Sequence, residues 1–449
     1  MTVFLAHSRR FAAACLLLCA CAARAHDGDL DPTFGVAGVT HTGWYNLLLN
    51  AIALRSDGRF VACGQYDAPS GSSSELIVVQ FLADGTLDTS FGTAGMAAVD
   101  FGPSDDICTG IAIQTDGRAV VVGYAQNLVG FPPVYSYHPI AARLTSAGAL
   151  DASFGNGAGQ VQLPQQGGSQ AVALQADGKI VIAGFEIPEG DNGTDYGIER
   201  LLADGSVDPG FGTEGRVTVD FAGSPSFEMP SAVAIDAQAR IVVAGTSDRY
   251  LDAGMGIVRL LGNGQFDDTF GSNGVVVAGL DAEHIAYGYA LHLEGNGGVV
   301  VGGMRSSAKD LLVAAARLLE NGSMDATFGT QGVATIPYAP AGVEWNPRTY
   351  AMARQSDGKY VLAGSVVDPD GKQFTLLARI DAEGQLDPTF ADAGTAVFDF
   401  VGSADAIQYF SAMTLSAGRV LAAGGLGNPN EVRDMLVRLQ SDLIFLDGF

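Results

Sequence analysis

Apolar positions alternate with polar or small ones in short runs, and the runs come in pairs hinged on Asp-Gly. Residues 171–184, AVALQADGKIVIAG, show the pattern: two half-buried strands meet at Asp177-Gly178, the dipeptide that most favours a two-residue hairpin turn. Paired runs recur at 51–64, 111–123, 232–245, 290–303, 351–364 and 412–424. Asp57-Gly58, Asp116-Gly117, Asn296-Gly297 and Asp357-Gly358 keep the turn chemistry, whereas 232–245 and 412–424 keep only the flanking strands. A third run, such as Ile257-Val258-Arg259-Leu260-Leu261, follows a connection of variable length. A second turn, for example Asp204-Gly205, then leads into a repeated phrase, and a short fourth run such as 215–221 completes the unit.

The phrase is hydrophobe-Asp-x-x-Phe-Gly. Its Asp falls at Asp31, Asp88, Asp151, Asp208, Asp267, Asp325 and Asp387, at intervals of 57, 63, 57, 59, 58 and 62 residues. Units of this length are single supersecondary modules that bury their apolar faces only against copies of themselves. Seven modules of four short antiparallel strands predict an all-β fold, a seven-bladed β-propeller. A linear solenoid would need distinct capping modules, and the sequence has none. In the phrase, Phe supplies a large ring to bury between blades and Gly a backbone conformation closed to other residues. The last copy departs, with Ala391 after Phe390.

The runs ADGSVDPGFGTEG, AVALQADGKIVIAG and IERLLADG resemble the delta-60 repeat family, bacterial repeats of about this length assigned to β-propellers. The resemblance spans essentially everything after the first 25 residues. It implies the fold and no particular activity.

Those first residues read as a signal peptide, 1–25. Arg9 and Arg10 precede an apolar run from Phe11 to Ala23, and Ala23-Arg24-Ala25 is a small-residue cleavage pattern. Two rival readings share the stretch. Leu18-Cys19-Ala20-Cys21 resembles a lipobox, which would leave the chain acylated at Cys21, and Ser8-Arg9-Arg10-Phe11 resembles a twin-arginine signal with its Phe one place early. The chain is therefore expected to be exported: periplasmic, anchored at the outer membrane through Cys21, or secreted. The remainder, 26–449, is expected to be one propeller and a monomer, with no later run long enough for a transmembrane helix. Beyond residue 25 the chain holds 21 Lys plus Arg against 49 Asp plus Glu, a net charge of −28. That balance disfavours nucleic acid and anionic lipid as partners. Of five cysteines only Cys63 and Cys108 lie outside the signal. Cys63 stands where other repeats hold Ala183, Ala244 or Ala363, so a small buried apolar role is expected; a bridge to Cys108 is the alternative.

The third strand carries Arg at one fixed place: Arg143, Arg200, Arg259, Arg317, Arg379 and Arg438, with Gln80 in the first module. Arg143, Arg200, Arg259, Arg317 and Arg379 each precede a phrase Asp by eight residues. A ring of Arg would suit an anion-binding pore; a structural Arg–Asp pair in every blade, using the fork of guanidinium donors, is the favoured reading. Asp31 and Arg438 then have no partner nearby in sequence. The pairing rule requires them to meet, the segment around 30–42 packing against the strand 432–439.

Strand alternation puts both Asp-Gly-type turns on one face of the disc and the variable connections on the other, where binding usually resides. That face carries Trp44, Tyr45, Tyr250, Trp345 and the long insertion 124–139 with Phe131, Tyr135, Tyr137 and His138. Aromatics on a polar rim suggest a protein or glycan partner; packing over the blade ends is the equal alternative. The histidines are not paired at metal-ligand spacing, no Gly-x-Ser-x-Gly elbow occurs, and the glycines at 155–159 open no helix, so no catalytic residue, metal site or cofactor is expected. Calcium at Asp252, or at Asp368 with Asp370, is conceivable in an exported protein, but turn-forming Asp explains them better. The sequence thus points to an exported, non-catalytic binding or cell-surface module. A hydrolase or cofactor-dependent dehydrogenase with a site at the central channel is the alternative. The tail 440–449 is either a closing strand or a sorting tag.

Overall fold

The computed structural model describes residues 27–440, apart from 68–72, 130–133, 191–192, 222, 224–225, 249–252, 280–283, 308–310, 337–345, 404–406 and 429–430. Its strands form seven antiparallel sheets of four strands each. The first strand of every blade packs against the first strands of both neighbours, and the seventh reaches the first, so the sheets close into a ring. The protein is a seven-bladed β-propeller.

Blade 1 shows the plan: Leu47–Leu54, Phe60–Tyr66, Glu75–Phe81 and Met96–Val99 pair in sequence order from the ring axis outward. Most first strands begin about four residues before the paired runs, because each contains a bulge, in blade 1 between Leu49 and Ala51. The bulge pushes a carbonyl against the second strand, so that a Cβ on Gly64 would strike Leu48 O; Gly123, Gly184 and Gly424 face the same obstacle. Much of what looked like variable connection is therefore sheet. Segments 41–50, 100–109 and 402–410 hold the starts of Leu47–Leu54, Asp105–Ile113 and Ile407–Ser416. The insertion 124–139 extends a hairpin, Ala119–Val129 paired with Val134–Leu144. Conversely, the fourth strand of blade 3 is shorter than 215–221, spanning Arg216–Val219.

Apolar clusters fill the seams between blades. Between blades 3 and 4, Val181, Ile198, Phe211 and Val217 meet Val243, Val258 and Leu260. Each phrase Phe is nearly inaccessible, as Phe34, Phe154, Phe211, Phe270 and Phe328 show. Cys63 and Cys108 form a disulfide, with Cα atoms 5.8 Å apart, which ties blade 1 to blade 2. The small apolar role expected of Cys63 is thus overtaken, because the ring brings first-module and second-module strands side by side.

The seventh blade is completed by the chain's beginning. Val39–Thr40 pairs with Glu431–Arg438 as its outermost strand, Val39 opposite Val437. The turn before the phrase is rebuilt from two distant pieces: Gln440 N donates to Asp29 O at 2.8 Å, as Leu202 N donates to Ser206 O at 2.8 Å within blade 3. Residues 1–26 and 441–449 lie outside the described residues. Among the described residues no helix is long and apolar enough to cross a membrane, which leaves strands unaddressed.

Candidate functional site

The phrase acts through its Asp, its Phe and the Arg of the third strand together. Arg Nε donates to Asp Oδ2 at 2.7–2.8 Å in the pairs Arg143–Asp151, Arg200–Asp208, Arg259–Asp267, Arg317–Asp325 and Arg379–Asp387. Arg438 donates to Asp31 at 2.7 Å across 407 residues of sequence, and Gln80 Nε2 serves Asp88 at 2.7 Å. Each of the six guanidiniums lies 4.4–4.9 Å above the ring of its phrase Phe. Most then reach the next blade: Arg143 donates to Ala203 O, Arg259 to Glu320 O and Arg438 to Ala83 O, while Arg379 pairs with the Asp27 carboxylate. The set forms a clamp from blade to blade.

A second ring of cations escaped the sequence reading. Arg59, Arg118, Lys179, Arg240, Lys359 and Arg419 approach Asp88, Asp151, Asp208, Asp267, Asp387 and Asp31 from the hairpin turn of the same blade. The signal was present as the basic residue two places after the Asp of most of these turns. Burial alone would raise the Asp88 carboxyl, but hydrogen bonds from Ser90, Gln80 and Arg59 hold it down at about 2.

The loop-face aromatics separate into two groups. Trp44 is half-buried and packs on the core beside Phe34 and Leu47, and Tyr45, 49% exposed, lies under the Arg433 guanidinium at 4.0 Å. On the extended hairpin of blade 2, Tyr137 packs edge-on to Tyr124 and to Phe185 of blade 3, at 5.8 Å each, with Tyr135 tilted 6.1 Å away. Tyr135 is 58% exposed and stands opposite Leu128, 62% exposed. His138 bonds to Gln165 O through Nδ1 at 3.2 Å. Phe131, Tyr250 and Trp345 lie outside the described residues, as does Asp252. Asp368 accepts the backbone N–H groups of Asp370 and Lys372, the pattern of a turn.

A further break in the repeat lies at the seam between blades 2 and 3. The residue just before the clamp Arg is Val79, Ala142, Val258, Ala316, Ala378 and Val437 in six blades, and Glu199 in the third. Its Oε2 is sealed from solvent without a hydrogen-bond partner. Burial pushes the Glu199 carboxyl up to about 8, against the pull of Arg216 and with a push from Glu186. Arg216, its cross-strand neighbour, is itself engaged with Glu186 at 3.1 Å, and Thr218 Oγ1 donates to the other Glu186 oxygen at 2.9 Å. A groove of about 790 Å³ opens beside Glu199, walled by Leu163, Leu201, Val207 and Phe266. The lone acid at a Val/Ala position was the available signal, and sequence reasoning passed over it.

Two further clusters carry chemistry. At the inner ends of blades 5 and 6, Tyr360 donates to Glu294 Oε1 at 2.7 Å, Arg354 lies 5.7 Å from the Tyr360 ring, and burial lowers the His292 imidazole. Among the described residues, Asp195, Asp220 and Glu228 bring carboxylate oxygens within 4.8 Å of one another.

Three stretches of the chain carry a known repeat. Residues 55–91, 175–211 and 355–390 match the family described as "Domain of unknown function (DUF5122) beta-propeller". The DUF5122 match falls on modules 1, 3 and 6, and each segment runs from just before a hairpin turn to the phrase Phe. The resemblance to a bacterial propeller repeat without assigned function therefore stands. No functionally curated protein matches the chain. Among solved structures, the polysaccharide lyase Uly1 is 10% identical with 92% of each chain covered and a TM-score of 0.50. A protein of unknown function from Dyadobacter fermentans DSM 18053 is 13% identical over 90% of this chain and 100% of its own, with a TM-score of 0.45. Sqt1 from Chaetomium thermophilum is 12% identical over 88% and 96%, with a TM-score of 0.43. At such identities the likeness speaks for the fold alone.

Proposed function

We propose that the chain is an exported, non-catalytic binding module that engages a protein partner through the hairpin of blade 2. The observation that supports this is the pair of exposed apolar side chains Leu128 and Tyr135, which face each other across the projecting strands. Behind them Tyr124, Tyr137 and Phe185 brace the hairpin against blade 3. An aromatic-backed pair of exposed apolar side chains on a polar rim has the make-up of an interface anchor. The test is capture of partners from the source culture's medium and envelope by the full chain, beside a Leu128→Ser/Tyr135→Ser double variant. A partner bound by the native chain and lost by the variant is the expected result; a partner held equally by both places the contact elsewhere. An enzyme remains the second reading on one observation, the His292, Glu294, Arg354 and Tyr360 cluster where blades 5 and 6 meet. A hydrolase screen of native and His292→Ala protein tests it, with activity lost in the variant as its supporting outcome.

A further inference from the structure

Blade 3 carries on one side an acid and a cation, Glu199 and Arg216, where the other modules hold uncharged residues, and the chemistry there specifies a ligand. We infer that the groove between blades 2 and 3 is a binding site for an uncharged, hydroxyl-rich ligand of saccharide type, held by Glu199 and Gln165.

The internal repeat is the control. Position 199 is Val or Ala in the six other blades, and the cross-strand position of Arg216 is Met96, Gln160, Val275, Val333, Thr395 or Val39. The fold is therefore satisfied by small or uncharged residues at both places, and a buried carboxyl at one of them destabilises it. Such a cost is expected where a site requires it.

Hydrogen-bond needs then select the ligand class. Glu199 and Gln165 line the groove, and Glu199 Oε2 and Gln165 Nε2 have no partner in the protein; turned toward the groove, one offers an acceptor and the other a donor. Ser169 Oγ, beside Glu199 in a pocket of about 10 Å³, is likewise unpartnered. A hydroxyl both donates and accepts, so adjacent hydroxyls satisfy both kinds of group. An ammonium donates only; it would leave Gln165 unsatisfied and set a second cation beside Arg216. An anion would face the groove residue Glu214 and, beside Arg216, Glu186. The nearest charge pair, Arg216 with Glu186, is already balanced. Val207 and Phe266, 42% and 39% exposed, give the groove an apolar wall of the kind that the C–H face of a sugar ring covers. A volume near 790 Å³ admits a short oligosaccharide.

This site is distinct from the tip formed by Leu128 and Tyr135, so the two proposals fail separately. The experiment applies the full chain to an array of neutral oligosaccharides of two to four sugars, with sulfated, sialylated and amino-sugar-terminated ones alongside. The best neutral binder is then titrated against native protein, Glu199→Val, Gln165→Leu and the Leu128→Ser/Tyr135→Ser variant. Glu199→Val installs what blades 1, 4 and 7 already carry, so it is expected to fold at least as well as the native chain. The expected result is binding of a neutral oligosaccharide that weakens about tenfold or more in Glu199→Val and in Gln165→Leu and is unchanged in the hairpin variant. No neutral binder, an affinity untouched by Glu199→Val, or a preference for the charged glycans overturns the inference.

Discussion

The two sides of blade 3 are built from the same strands and meet their neighbours in opposite ways. Toward blade 4, Tyr196, Ile198, Phe211 and Val217 enter a dry seam with Val243, Val258 and Leu260. Toward blade 2 the alternate residues of the same strands include Gly197, Glu199, Arg216 and Thr218, and the apolar cluster there is confined to residues such as Val120, Phe154, Ile180 and Leu201. Strand alternation sends adjacent residues to opposite faces. A single module can therefore hold the ring together with one face and present chemistry with the other. Propeller stability is shared among seven seams, so one of them can depart from tight apolar packing.

The largest effect that would break this comparison lies at the clamp beside the dry seam. Arg200 donates to Asp208 and to Gly262 O and covers the Phe211 ring. Arg200→Ala leaves a buried carboxylate without its main partner and is expected to cost about 4 kcal/mol in urea unfolding. A cost below about 1 kcal/mol would show that the clamp does not couple blades 3 and 4.

Next comes the polar side. A carboxyl that ionises near its ordinary value when unfolded and near 8 when folded favours the folded state less as pH rises between the two. Glu199 therefore subtracts stability progressively from about pH 4.5 to 8, and the loss is complete above the folded value. Glu199→Val is expected to be more stable than the native chain by several kcal/mol at pH 8.5, with the gap narrowing toward pH 5. A gap independent of pH would mean that Glu199 is ionised and satisfied in the folded protein.

The smallest effect sharpens the contrast between buried and exposed partners of one group. Lys179 also approaches Asp208, at 3.6 Å, from a position about one third exposed. Lys179→Ala is expected to cost under about 1 kcal/mol and to lose even that at high salt, unlike Arg200→Ala.

The module was legible because it repeats: Asp177-Gly178, the eight-residue step from Arg200 to Asp208 and the phrase Phe recur often enough to stand out from local noise. Bulges were not legible. A residue such as Asn50 interrupts the period-two alternation, so the beginning of each first strand read as loop. The disulfide was legible only as the alternative reading, since Cys63 and Cys108 sit 45 residues apart on strands that only the closed ring sets side by side.

What the amino-acid pattern determined by itself was everything local or periodic: the strands, the turns, the number of modules and the Arg–Asp step. Tertiary structure decided what depends on which module faces which. It met the pairing rule's demand that Asp31 reach Arg438, rebuilt the last turn from Asp29 and Gln440, and turned Glu199 from one acid among many into a carboxyl held in a seam with one oxygen unpartnered. Periodicity records how each residue repeats along the chain. Burial, and with it the proton affinity of a carboxyl, depends on the neighbour that closure supplies.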